Sequence, residues 1–415
     1  MNRYDAIVIG AGPSGSTAAA VLASKGRRVL AIEREKFPRY HVGESLIPYT
    51  YFPLERIGMI ERMKKSHFPS KYSVQFVGRS GNLSQPFYFF EHLKHEAACT
   101  WQVLRSEFDQ MLMDNAREKG VEVLEETKVT ETIDENGTVT GVRAKAKDEG
   151  TLEFRAPITI DASGRDSLSM LRNNWRVRDD QLKKISIWTY YKGALRDPGR
   201  DEGATTIASI PERGWFWYIP LPDDMVSVGV VAESDYLYRD TRDLEEIFLR
   251  EVTNNRWIEK HLAIGQRTEP LRVTGEFSYR SRYTAADGLV LTGDAFGFLD
   301  PVFSSGLFFA LRGGELVADA VDAALTAGDY SAGRFNDYAN EMCSGMEAMR
   351  RLVYAFYDHG FSFADLMKEH PDLSPDLTDC LIGNLSRDFE PLFKAVSKFA
   401  AVPDPLSHGR PLAAA

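Results

Sequence analysis

The sequence predicts an α/β protein in three parts: a parallel-sheet layer, an antiparallel β-sheet domain inserted into it, and a C-terminal helical region. Three observations carry this prediction. A short apolar strand near the N-terminus runs into closely spaced glycines and an alanine-rich helix. A block of aromatic, β-branched segments with strand spacing fills the middle of the chain. Residues 331–401 then read as mostly helical.

Ala6–Ile9 is the first buried strand, followed by Gly10, Gly12 and Gly15 at G-x-G-x-x-G spacing, with Pro13 and Ser14 between them. In a strand–turn–helix context such glycines make a tight turn, let backbone approach a pyrophosphate and let helix pack on strand. The helix predicted over residues 16–25 would point its N–H groups at the phosphates. A second strand, residues 28–33, ends in Glu33, at the distance of a ribose-binding carboxylate, with Arg34 next to it. The layer is therefore Rossmann-like and dinucleotide-binding.

The loop of residues 34–48 is long enough to be functional, and Gly43, Glu44 and Ser45 are placed to reach back over a cofactor. One amphipathic helix is expected over residues 54–65, then a strand over 67–77 opened by Lys71, which on its own reads as a surface lysine. The aromatic run 87–90 pairs with that strand or lines a pocket. Ser106 is the expected N-cap of a helix reaching about residue 119, with Arg105 just before it to meet a cofactor phosphate or flavin edge. Short strands at 121–124, 129–133, 139–146 and 152–155 read as a meander, with Asn136-Gly137 as a turn. A strand over 157–161 ends at Asp161 in a small-residue turn closed by Gly164. Strands at 185–193, 205–210, 215–220 and 226–232 form the inserted sheet, followed by a helix at 244–252 and a strand-rich stretch at 271–283. Residues 287–295 return to the nucleotide layer through Gly293 and Asp294, and one helix covers 307–327. The proline-rich tail from Val402 is expected to be loosely ordered.

Composition bounds the function. A chain of 415 residues with 43% hydrophobic and 27% charged residues suits a multi-domain globular protein. A net charge of -10 argues against nucleic-acid binding. Cys99, Cys343 and Cys380 lack metal-ligand spacing, so no metal is expected, and their odd number suits a reducing cytoplasm. The first strand leaves no room for a signal peptide, and no segment is apolar for long enough to be transmembrane.

Three nucleotide-type turns, at Gly10 to Gly15, Asp161 to Gly164 and Gly293-Asp294, are scattered over the first three hundred residues. Their dispersal resembles the para-hydroxybenzoate-hydroxylase-like FAD oxidoreductases over residues 1–330. The resemblance implies a discontinuous FAD-binding domain (residues 1–70, 100–170 and 275–330), a β-sheet substrate domain (71–99 and 171–274) and a C-terminal helical cap (331–415). It also implies that Asp294 holds the ribityl side of FAD, that the Asp161 turn is a second contact, and that Arg105 meets the cofactor. No second G-x-G-x-x-G is present, so no dedicated NAD(P)H domain is expected, and a separate flavin reductase would supply reduced FAD. Trp215, Trp217, Ile219 and Pro220 stand in a W-x-W-x-I-P pattern, the signature of flavin-dependent halogenases, where it lines a tunnel. Residues 298–306 are similar to the halogenase pattern F-x-x-P-x-x-S-x-G, with Pro301, Ser304, Ser305 and Gly306 ahead of a helix whose N–H groups would hold chloride or bromide. Helix capping is the alternative reading of that Ser-Ser-Gly.

Lys71 follows the glycine motif by about the interval at which halogenases carry their essential lysine. The segment around it resembles the phenol- and pyrrole-type branch, although Tyr72-Ser73-Val74-Gln75 lacks the small pair expected after that lysine. No counterpart of the catalytic glutamate of tryptophan halogenases is found. The resemblance implies an FADH2-, O2- and halide-dependent halogenase acting on an electron-rich aromatic, free or tethered to a carrier protein. A geranylgeranyl-reductase-like alkene reductase shares the scaffold, with another aromatic motif at the tryptophan strand. A single-component aromatic monooxygenase drawing on NADPH is the remaining enzymatic reading, and a non-enzymatic flavin-binding module is a distant one.

Overall fold

Four short apolar strands buried on both faces form the middle of a parallel sheet, as continuous hydrophobic runs do when helices cover both sides. The computed structural model describes residues 4–147, 150–212, 214–275 and 278–412, so expectations reaching residues 1–3, 276–277 and 413–415 lie, to that extent, outside the described residues. The sheet order is Ala285–Ala286, Leu289–Leu291, Ile158–Asp161, Ala6–Ile9, Val29–Ile32, Glu122–Leu124. All neighbours are parallel except the Ala285–Ala286 edge. Ile9 is in register with both Asp161 and Ile32, and Asp161 with Leu291. Turns dispersed by nearly three hundred residues of chain therefore leave the sheet at one level, at the carboxyl ends of its strands, where α/β sheets bind ligands. Residues 121–124 belong to this sheet and not to the expected meander. The meander proper is Thr127–Glu135, Thr138–Ala146 and Gly150–Arg155, turned at Asn136 and Gly137, both at positive φ.

The turns meet closely. A Cβ at Gly10, where φ is +93°, would lie 2.5 Å from the Ala162 carbonyl oxygen, and one at Gly15 would lie 2.0 Å from the Gly10 carbonyl oxygen. Helix Pro13–Ser24 packs along helix Gly306–Ala327, so the first and last parts of the layer share one interface.

The inserted sheet runs in the order Gln266–Arg267, Lys184–Lys192, Met225–Glu233, Trp215–Leu221, Thr205–Ser209, Ser73–Val77, Phe87–Tyr88, with Arg272–Gly275 also on Lys184–Lys192. The Trp215–Leu221 strand is buried on both faces. Trp215, Trp217, Ile219 and Leu221 join the core shared with the nucleotide layer, while Phe216 and Tyr218 pack under helices Leu244–Thr253 and Arg256–Leu262. Phe87–Tyr88 pairs with Ser73–Val77, but Phe89 leaves the sheet to start a helical turn. Lys71 lies just outside this sheet, in the two-residue strand Ser70–Lys71 paired with Thr100–Trp101.

Two helices, Tyr51–Arg56 and Ile60–Lys65, replace the single one expected over residues 54–65, because the chain turns at Gly58 with φ of +77°. The C-terminal helices, led by Asn336–Tyr357, bury their apolar faces in the same core as the parallel sheet. The tail is not loose through its described length. Gly409 donates to the Arg282 carbonyl, Arg410 accepts from Thr284 and Leu412 donates to the Ala285 carbonyl. No helix among the described residues is long and apolar enough to cross a membrane.

Gly15→Ala drives a methyl into the Gly10 carbonyl, so it should lower stability by about 1–3 kcal/mol and abolish FAD retention. Chemical denaturation and flavin fluorescence titration read the two effects.

Candidate functional site

The cradle formed by the three turns fits a dinucleotide. Gly12 is the N-cap of helix Pro13–Ser24 and no side chain caps that helix, which leaves its first N–H groups for phosphate. A Cβ at Gly12 would touch only the tip of Arg39, at 3.3 Å, and one at Gly164 would meet nothing within 4 Å. Ser14 faces the third turn, its Oγ 3.1 Å from Thr292 Oγ1. Glu33 is buried where the ribose carboxylate is expected, and accepts from the Ala11 and Glu35 N–H groups. Arg34 is half-exposed and pairs with Asp166, beside the second turn. Asp294 sits in a recess where burial pushes its carboxyl up to about 6, against the pull of Arg165 and Arg105.

Two cradle residues also carry structural roles. The carboxylate of Asp161 accepts from Ser163 and Ser169 N–H, so it shapes its own turn and caps the following helix. Arg105 is the first helical residue, with Leu104 as N-cap in place of Ser106. Its guanidinium is bidentate to Asp109 at 2.8 and 2.9 Å and also holds the Val42 and Gly43 carbonyls. Arg105 thus ties residues 42–43 over the cradle. The expected reach of Gly43-Glu44-Ser45 is anchored further by Val103 N–H on the Glu44 carbonyl and Leu46 N–H on the Trp101 carbonyl.

Lys71 is no surface lysine: its relative exposure is 0%. The Nζ donates to Ser45 Oγ at 2.8 Å and to the Leu46 carbonyl at 3.0 Å, and stands 5.5 Å from the Phe89 ring centre. Neither hydrogen-bond partner is a carboxylate. Burial alone pushes the amine down to about 7. Ser45 Oγ is also 2.8 Å from Thr205 Oγ1, which accepts from Gln102 Nε2. Gln102 Oε1 and Thr100 Oγ1 are buried without partners, and Thr100 is directly opposite Lys71. The lysine therefore belongs to a buried polar cluster with unspent hydrogen-bonding capacity.

A wall of tryptophans stands on the inserted sheet, on the face that joins the core shared with the nucleotide layer. The rings of Trp215 and Trp217 are 6.3 Å apart, and Trp188 is another 6.3 Å beyond Trp217. Gly229 makes room for this wall, since a Cβ there would lie 2.4 Å from the Trp217 ring. Ile219 faces the same side; Pro220, by strand alternation, follows Phe216 and Tyr218 onto the other face and does not line the wall. Trp215 Nε1 donates to Tyr357 Oη at 2.7 Å, and Tyr357 donates to Asp300 Oδ2 at 2.9 Å. Asp300 in turn caps the Pro301–Phe303 turn through Val302 N–H. That turn leads through Ser304, at φ of +55°, into helix Gly306–Ala327. Ser305 is the N-cap, yet its hydroxyl accepts nothing from the first turn, so those N–H groups remain for an anion. Tyr357 and Asp300 thus join two motifs that look independent in sequence. Sequence reasoning missed both, together with Gly229 and the bond from Lys71 to Ser45; only the position of Asp300 inside the loop motif offered a hint.

A parallel-sheet nucleotide cradle, a row of buried tryptophans and a buried neutral-range lysine suit a flavin-type oxidoreductase. The family model "Tryptophan halogenase" matches residues 5–92 and 80–361. A 1H-pyrrole-2-carbonyl-[peptidyl-carrier protein] brominase of Pseudoalteromonas luteoviolacea is 32% identical over 92% of both chains. The corresponding chlorinase of Pseudomonas fluorescens is 27% identical over 98% of this chain and 95% of that one. The structure of the flavin-dependent brominase Bmp2 superposes with a TM-score of 0.86 at 30% identity, covering 96% of this chain and 97% of that one. The chain belongs to the tryptophan halogenase family: it is a flavin-dependent halogenase, an enzyme using FAD and halide.

Tyr357→Phe leaves the Trp215 N–H and the Asp300 carboxyl without their shared partner, and should cost about 1–3 kcal/mol by chemical denaturation. Lys71→Met should change the pH dependence of stability. The folded-state pKa of Lys71 is depressed, so the wild type gains stability as pH rises from about 7 towards 10.5. The methionine variant lacks that gain, about 1.4 kcal/mol per pH unit, so its advantage over wild type should grow as pH falls through this window.

Proposed function

We propose that this enzyme halogenates an electron-rich aromatic ring, most closely a pyrrole-type acyl group tethered to a carrier protein. The carrier-bound pyrrole substrates named for two of its relatives support this substrate class. The observation that carries the mechanism is Lys71, fully buried among neutral hydrogen-bond partners with its amine near neutrality.

Reduced FAD, supplied by a separate flavin reductase, provides the electrons with which O2 converts chloride or bromide to hypohalous acid. Gly10, Gly12, Pro13, Ser14, Gly15 and Glu33 would hold its adenosine and pyrophosphate side, and Asp294 its ribityl side. Residues 1–70, 100–170 and 275–330 then form the cofactor domain, 71–99 and 171–274 the substrate wall, and 331–415 the cap. The free N–H groups at Ser305 and Gly306 hold the halide. Trp215 and Trp217 keep the aromatic substrate from the cofactor, so small oxidant passes where a ring cannot. At Lys71 either protonation state serves near neutral pH. The ammonium hydrogen-bonds the oxidant, or the free amine displaces water from it to form an N–X bond and then transfers halogen to the ring. The ring proton leaves as halogen arrives, ending in the water formed from hypohalous acid or on the Lys71 nitrogen that gives up its N–X bond, and the unpartnered Thr100 Oγ1 and Gln102 Oε1 are available to the substrate. A cytoplasmic setting suits the free cysteines Cys99, Cys343 and Cys380.

Product mass spectrometry with FAD, a flavin reductase, bromide and either pyrrolyl-carrier protein or small phenols tests this reading. A bromine isotope doublet on the carrier-bound pyrrole is expected; alkene reduction or plain hydroxylation instead would overturn it. Lys71→Ala should lose the doublet while binding FAD like the wild type.

A further inference from the structure

Glu44 is a buried carboxyl that the reaction as described leaves unused. It is 2% exposed, its Oε1 accepts from Tyr190 Oη at 2.8 Å, and its Oε2 accepts from Gly43 N–H at 3.2 Å. Tyr190 Oη is 3.1 Å from Tyr40 Oη, and Tyr40, 43% exposed, reaches solvent. Trp188 Nε1 donates to Tyr40 Oη at 2.8 Å.

Donor counting gives this chain a direction. An indole N–H can only donate, so Tyr40 is the acceptor in its pair with Trp188. Tyr190 has one proton and gives it to Glu44. Only the Tyr40 hydroxyl is left to donate between the two tyrosines. With Glu44 ionised, the bonds from Tyr40 to Tyr190 and from Tyr190 to Glu44 therefore both point inward, and Trp188 is a side donor to Tyr40. The charged groups around this chain are Arg105 with Asp109, on the helix beside residue 43, and Arg272, whose guanidinium lies 4.0 Å from the Tyr40 ring centre. His41, pushed down to about 4 by burial, is neutral. Glu44 stands on the cofactor side of the chain, in the electrostatic neighbourhood of Arg105 that also includes Asp294, while the next residue, Ser45, holds Lys71.

The proton balance of the chemistry requires such an inlet. Oxidation of halide by reduced FAD and O2 follows FADH2 + O2 + X− + H+ → FAD + HOX + H2O, so one proton enters the cofactor side per turnover. Ring halogenation, HOX + ArH → ArX + H2O, takes up none. We propose that Glu44 is the proton donor to the cofactor chamber and that Tyr190 and Tyr40 reload it from solvent. At each transfer one O–H bond breaks and one forms: Glu44 gives its proton inward, takes that of Tyr190, Tyr190 takes that of Tyr40, and Tyr40 takes one from a hydronium ion or buffer acid in solvent. Burial raises the Glu44 carboxyl, which lets it hold a proton nearer neutrality than a free glutamate, and the Tyr190 bond partly opposes this.

This proposal rests on the halogenase reading, and its test separates the two. In flavin-free protein, difference infrared spectroscopy should show a protonated carboxyl band that titrates with pH and vanishes in Glu44→Gln. In Tyr190→Phe the same band should titrate at higher pH, because the ionised form loses a donor. With FAD restored, hypohalous acid formation, trapped by a phenol reporter, should slow on the order of a hundredfold in Glu44→Gln and about tenfold in Tyr190→Phe. The solvent deuterium isotope effect and pH profile should change in both, with FAD affinity kept. A Glu44 that stays ionised across neutral pH, or a Tyr190→Phe enzyme with wild-type rate, isotope effect and pH profile, overturns the relay. Wild-type enzyme that forms no hypohalous acid overturns the halogenase reading, while the infrared result still decides whether Glu44 takes up the proton.

Discussion

Burying an ammonium without a carboxylate partner is the constraint on which the substrate side of this enzyme depends. Such a charge is tolerable only if neutral oxygens are fixed at hydrogen-bonding distance or the group gives up its proton. Lys71 does both in part: Ser45 Oγ and the Leu46 carbonyl meet it, and its amine is brought close to neutrality. Those oxygens sit on the segment that Arg105 and the extended residues 101–103 clamp across the cofactor cradle. Placement of the lysine and closure of the cradle are thus one structural event.

The second dependence runs through the wall. Trp215 is held by Tyr357 and Tyr357 by Asp300, so the tryptophan wall is hydrogen-bonded to the loop that leads into the start of helix Gly306–Ala327. The sheet supplies the stiffness. Both faces of Trp215–Leu221 are covered by core residues, and Gly229 leaves the space beside the Trp217 ring that a side chain would fill.

Local signals made most of the fold legible in the sequence. Gly10, Gly12 and Gly15 sit between a strand and a helix, and the aromatic strands alternate between two cores, so pattern and packing agree there. What local pattern could not give was partnership across the chain. Residues 121–124 look like one more meander strand, and only pairing with Val29–Ile32 places them in the parallel sheet. Asp161 and Arg105 lie where the motifs put them, yet their polar atoms serve the turn at Ser163 and the loop at residues 42–43. Lys71 is the clearest case. A lone lysine beside a tyrosine and a serine reads as solvated, and its burial follows from Ser45, Leu46 and Phe89, none of which is near it in sequence. Tyr357, more than fifty residues from Asp300 and more than a hundred from Trp215, carries no motif at all.

The seam made by residues 409–412 bears on how the chain matures. Ala285–Ala286 is an edge of the parallel sheet, and the tail runs beside it through Thr284, Arg410 and Leu412. Unpaired strand edges invite pairing with other chains. During synthesis, the sheet that binds the cofactor can assemble soon after Leu291 is made, whereas the cover for its edge arrives some 120 residues later, at ribosomal speed many seconds afterwards. The helical region made in that interval separates a nascent protein with an open edge from one whose edge is sealed.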